Sequence, residues 1–277
     1  MKRFGCVGFL VLTLSSLVYA AESKFFANQS IEGQAPAAFV LQPESFEFLQ
    51  NFETESLTER QGLVAELQSD PELAGALADW SKLTIDEQIP LLRKVFLLEV
   101  KILGIAAPEL VIENDVIPGE SFFEFDPDHP TPGRVLLNPK LVAQEINKYT
   151  SLALLVHETR HSAQFQLAFM SSSDSAMANA YRAAFKAQKQ MAPSLSFCDF
   201  LTLNNEFDAF QFGNYVIGEL THYSVDDIGM GTYASQFDAH GVLKIDLAKL
   251  AQATPAGDLI NEFNRLENDQ LEALRKR

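Results

Sequence analysis

Cysteine is almost missing from this chain: Cys6 and Cys198 are all it has among 277 residues. Cys6 falls in a leading apolar segment that processing is expected to remove, which leaves Cys198 alone. An internal disulfide is then excluded, and a chain of this length can build a sufficient core without one. Cys198 sits between Phe197 and Phe200 with no neighbouring cation to activate its thiol, so it reads as a small buried hydrophobe. Bases are scarce too, 21 Lys and Arg against 37 Asp and Glu, for a net charge of −16. A nucleic-acid binder, or a protein docking on an anionic membrane, wants the opposite sign, and both classes are set aside. Low-complexity runs and internal repeats are absent. A composition 47% hydrophobic and 21% charged is globular rather than disordered.

After residue 18 there is no apolar run long enough to span a bilayer. The start of the chain is different. Lys2 and Arg3 precede an apolar stretch from Phe9 to Val18, and Val18-Tyr19-Ala20 matches a small-residue cleavage pattern. This predicts a secretory signal peptide over residues 1–20, cut after Ala20. The mature chain is expected to be soluble, free of membrane, and exported to a periplasm or secreted. Without Lys2 and Arg3 its charge is −18, from 37 acids against 19 bases.

Residues 21–82 read as an N-terminal helical region, with an irregular lead to 40 and helical spacing from Pro43 to Lys82. Thr84-Ile85-Asp86-Glu87 fits a capping box opening a helix that runs to Leu103 and Gly104. Pro90 in that run predicts a kink or a later start. Leu110–Ile112, Phe122–Phe125 and Arg134–Asn138 read as short strands, the last two separated by the turn-rich segment 126–133. Their short links predict an antiparallel sheet. Helices are then expected near 141–147, 150–170, 176–191, 200–220 and 259–277, with a loop at 226–231. Leu152–Val156 is apolar all round, so the helix from Thr150 starts buried.

On that helix stands His157-Glu158-Thr159-Arg160-His161. Positions i and i+4 share one face, so two imidazoles one turn apart can hold one zinc ion. Glu158, between them, is then placed to act as general base on water acidified by the metal. A buried helix seldom carries two histidines, a glutamate and an arginine without giving them partners. A catalytic zinc needs a third protein ligand. Glu206, Asp208, Glu219, His222 and His240 are the downstream candidates, and Glu206 and Asp208 stand out as two carboxylates among aromatics on a predicted helix. Arg160 points away from the metal face and is expected to pair with Asp208 or Glu145. Gln164 shares the face of His157 and contacts either the site or the next helix.

His157-Glu158-Thr159-Arg160-His161-Ser162-Ala163-Gln164, followed by Glu206-Phe207-Asp208-Ala209, resembles the gluzincin branch of the zincin metallopeptidases. It is most similar to uncharacterised bacterial metallopeptidases with an HExRHxxQ helix and a later ExDA helix. The resemblance covers about residues 84–220. It implies a zincin-like domain over residues 83–277, with Glu206 as third zinc ligand and Asp208 as partner of a histidine. Many gluzincins place the ligand glutamate four residues before the aspartate. Here that position is Asn204, so Asp208 stays open as the alternative third ligand, with Glu206 favoured. Position 167 is Leu where a metzincin would have its third histidine, which argues against that branch.

The expected fold is α+β and mainly helical, with a small antiparallel sheet and an HExxH active-site helix. The expected function is a zinc-dependent peptidase acting on a peptide or protein substrate. The alternative is an exported, non-catalytic helical binding protein with a structural or vestigial metal site. Tyr223, Tyr233, His222 and His240 are the candidates for stabilising an oxyanion, and Arg134–Asn138 for binding extended substrate along its edge.

Overall fold

The computed structural model describes residues 46–145, 148–190, 204–225 and 237–255, and scattered positions as far as 273. The expected signal peptide, Cys198, the loop at 226–231 and Tyr233 lie outside the described residues.

Helix α1 (Phe46–Ser69) is followed by α2 (Pro71–Ala78). The sequence pattern is helical through both. Asp70 breaks it by accepting hydrogen bonds from the backbone of Glu72 and Leu73, with Pro71 in the first position of α2. A 3₁₀ turn at Trp80–Lys82 buries the only tryptophan completely.

Helix α3 (Ile85–Leu103) starts where its capping box says. Thr84 and Glu87 bond reciprocally, and Gly104 closes the helix at φ 63°. Pro90 lies inside α3 and does not delay its start.

The three expected strands form β1 (Glu109–Ile112), β2 (Ser121–Glu124) and β3 (Arg134–Leu137), but the sheet is mixed, not antiparallel. Its order is β1-β3-β2. Strand β3 runs parallel to β1 and antiparallel to β2. The excursion through β2 gives the chain enough length to return beside β1 in the same direction. β3 is therefore central, and the edges are β1 and β2. Gly133 enters β3 at φ 80°, where a Cβ would fall 2.5 Å from the Phe123 ring.

A single turn, α4 (Pro139–Val142), leads to α5 (Thr150–Phe169). Then come α6 (Ala176–Gln190), α7 (Asn204–Thr221) and the short α8 (Leu247–Ala253), capped by Asp246. Helix α5 is the hub, touching α3, α4, α6, α7, β2 and β3. Its apolar start fits this: Leu152, Ala153, Leu155 and Val156 are all fully buried. Helix α1 packs on α3, α6, α7 and α8 and puts Leu63 and Leu67 into the same core. No described helix is long and apolar enough to cross a membrane.

Candidate metal centre

Six consecutive residues of α5, His157 to Ser162, are buried, and Glu158, the most open of them, is 7% exposed. A polar run in such a place needs partners on every side. One face of the helix and the helix opposite supply them. His157 and His161, one turn apart, bring their Nε2 atoms to 3.0 Å. From α7, Glu206 Oε2 reaches both, at 3.2 Å from His157 Nε2 and 3.3 Å from His161 Nε2. Three potential donor atoms thus converge from two helices.

Glu206 and His161 are each held from behind by a hydrogen bond. Glu206 Oε1 accepts from Gln188 Nε2 at 2.9 Å, and Gln188 Oε1 accepts from Asn205. This leaves Oε2 facing the imidazoles. Gln164 Oε1 accepts from His161 Nδ1 at 2.8 Å. His157 instead packs on the Phe210 ring, 4.3 Å between centroids, and its Nδ1 has no hydrogen-bond partner among the described residues. Phe123 and Phe185 flank His161 at 6.2 and 6.1 Å, so the pair sits among aromatic rings.

Glu158 lies beside the pair, its ligand atom within 4.8 Å of theirs. Ser121 Oγ, on edge strand β2, donates to Glu158 Oε1 at 2.6 Å. The buried His157–Glu158–His161 group can hold a metal ion.

The charges respond to this crowding. Burial works to lower the pKa of His161, but the Glu206 and Glu158 charges and its hydrogen bonds outweigh it, and the pKa is pushed up to about 9. Burial works to raise the Glu206 carboxyl, yet the two imidazoles hold it below the usual carboxylate range. Two imidazoles and a carboxylate converging on a desolvated point therefore stabilise positive charge there.

Against known proteins, the chain matches no family model, no curated protein and no solved structure.

Asp208 is placed elsewhere. It is 0% exposed, and among the described residues its ion pair is with Arg160 and not with either imidazole. Its Oδ2 accepts from Arg160 Nε at 2.9 Å, Tyr181 OH at 2.7 Å and Gln164 Nε2 at 2.6 Å, and Oδ1 accepts from Ser56 Oγ at 3.2 Å. Between Asp208 and the histidine expected to meet it stands Gln164, which contacts both the site and the next helix. Arg160 pairs with Asp208 and, through Nη1, with Glu59 of α1, not with Glu145.

The other expected residues lie apart from the centre. Tyr223 donates to Glu219, and Glu219 is thirteen residues along α7 from Glu206, roughly 20 Å at helical rise. His222 and His240 make no contact with the centre among the described residues. Arg134 to Asn138 cannot receive an added strand, since β3 has a neighbour on each side.

Ser121, Gln188, Tyr181, Ser56 and Glu59 join the centre and its surrounding network without standing in any motif of the sequence. A signal existed for two of them. Tyr181, Phe185 and Gln188 recur at spacings of four and three, one face of α6. The rest reach the centre through contacts distant in sequence.

Proposed function

We propose that this chain is an exported zinc-dependent peptidase, with His157, His161 and Glu206 holding the metal and Glu158 as general base. One observation carries the reading: the Nε2 atoms of the two histidines and Oε2 of Glu206 stand 3.0, 3.2 and 3.3 Å from one another. Bonds of about 2.0–2.1 Å in a tetrahedron set ligand atoms roughly 3.3 Å apart, so the trio fits one zinc ion with a position left over. Two imidazoles and a carboxylate are also a donor set zinc accepts well. Bound there, zinc supplies an acidified water and polarises a carbonyl.

The chain's own residues do the rest. Gln164 accepts from His161 Nδ1 and holds a proton there, so Nε2 is the nitrogen that gives up its proton when a metal binds. Ser121 occupies one oxygen of Glu158 and leaves the other to take a proton from water and pass it to a leaving amine. The aromatic surround limits water.

Strand β2 offers a path for the peptide. Asn138 N–H donates to Glu120 O, which marks that pair as hydrogen-bonded across the ladder. By alternation, the backbone groups of Ser121 and Phe123 point away from β3. No described backbone group pairs with them there. An extended substrate added to this edge lies against the residue that orients Glu158.

Elemental analysis and turnover of an unfolded protein such as reduced casein test the reading. The wild type should retain about one equivalent of zinc and cleave. Glu158→Gln should keep the metal and lose on the order of 10²–10⁴-fold in rate. Retained zinc with no cleavage of casein or of a mixed peptide library would point to a non-catalytic metal site. A metal-free wild type would overturn the proposal.

A further inference from the structure

We infer that Gln164 and Asp208 act as a relay that fixes the tautomer of His161, making both of them positioning residues for the metal. The inference rests on the metal-site reading above and adds what tunes it.

Hydrogen-bond chemistry leaves the relay one direction. Gln164 Nε2 faces two groups that only accept, Asp208 Oδ2 at 2.6 Å and the Asn205 carbonyl at 3.0 Å. The amide nitrogen must therefore lie on that side, and its oxygen on the side of His161, 2.8 Å from Nδ1. An amide oxygen cannot donate, so Nδ1 keeps its proton, and in the neutral ring Nε2 is the nitrogen left to ligate. The opposite orientation would put the NH₂ against Nδ1, force the proton onto Nε2 and close that ligand position.

Asp208 makes the choice firm because it cannot present a donor. Four side-chain donors reach it, from Ser56, Arg160, Gln164 and Tyr181, drawn from α1, α5 and α6. The guanidinium of Arg160 balances its charge, rests 4.9 Å from the Phe212 ring centroid and is itself gripped by Glu59. A residue that touches no ligand atom thus sets the state of one through a single amide. Helix α1 joins the same network across more than a hundred residues of sequence.

The test uses zinc affinity by chelator competition and, separately, the His161 tautomer read from ¹⁵N–¹H correlations in metal-free protein at alkaline pH. Gln164→Met keeps bulk without the amide. Asp208→Asn allows the neighbouring amide to turn over. Each is expected to weaken zinc binding about 10–100-fold and to shift His161 towards the Nε2–H form. The exchanged pair, Gln164→Glu with Asp208→Asn, restores an acceptor at His161 and a donor behind it, and should recover much of the affinity. Should Asp208→Asn fail to fold, Gln164→Met alone decides, since Asp208 keeps three of its donors there. Wild-type affinity and an unchanged tautomer in Gln164→Met would overturn the relay. If the wild type binds no zinc, the metal reading fails, and the tautomer measurement still judges the relay.

Discussion

The Nε2 atoms of His157 and His161 face each other at 3.0 Å inside the protein. Two ring nitrogens at that distance either share a proton or turn lone pairs to one cation, and Glu206 Oε2 beside both favours positive charge between them in either case. Removing any of the three should therefore remove the ion. On the proposed metal-site reading, the wild type retains about one equivalent of zinc after dialysis, and His157→Ala, His161→Ala and Glu206→Ala are each expected to fall far below it. Full metal content in any of them would strike that residue from the ligand set.

Metal-free protein should show a stability window set by this pair. The pKa of His161 is about 9 when folded against 6.5, so its contribution is complete below pH 6.5 and lost as pH rises to 9. The carboxyl of Glu206 is depressed below 4.5, so its contribution is present above that pH and lost on further acidification. Urea denaturation of chelator-treated protein should thus find the two together strongest between about pH 4.5 and 6.5. Zinc must displace the His161 proton, so binding near neutral pH should release about one proton, read by calorimetry in buffers of different ionisation enthalpy.

Glu99, on α3, is fully buried beside Thr159 and Arg160, and neither carboxyl oxygen makes a hydrogen bond of good geometry among the described residues. Burial pushes its pKa well above 4.5, and the Arg160 charge and the Thr159 hydroxyl offset this only in part. A raised carboxyl contributes most below pH 4.5 and progressively less as pH rises. Glu99→Met should stabilise the fold at pH 7 by about 1–3 kcal/mol, with the gain shrinking towards pH 4. A loss of stability at pH 7 would mean the carboxyl is usefully paired.

Gly133→Ala combines a φ of 80° with a Cβ 2.5 Å from Phe123 and 2.8 Å from the Glu124 carbonyl. The expected cost is about 1–3 kcal/mol in denaturant titration. Because Phe123 packs towards His161, zinc affinity should fall as well, which a purely local strain would not cause.

Features written within a few residues were legible in advance. The capping box of Thr84 and Glu87, the three strand segments and the one-turn spacing of His157 and His161 all depend on local geometry, and all lie within a residue of where the pattern puts them. The sheet order was not legible, because short strands carry no label for their neighbours; only the assembled sheet places β3 between β1 and β2.

The sequence alone determined that two imidazoles and a glutamate share a buried helix, since a turn of 3.6 residues leaves them no other arrangement. It favoured Glu206 over Asp208 as third ligand but could not decide between them. Two residues apart, they project about 200° from each other around α7, and which one meets the imidazoles depends on how that helix is rotated against α5. Tertiary packing turned Glu206 to the imidazoles and gave Asp208 to Arg160, Tyr181, Ser56 and Gln164. The docking of α7 is a property of the whole core, so no local pattern could announce it.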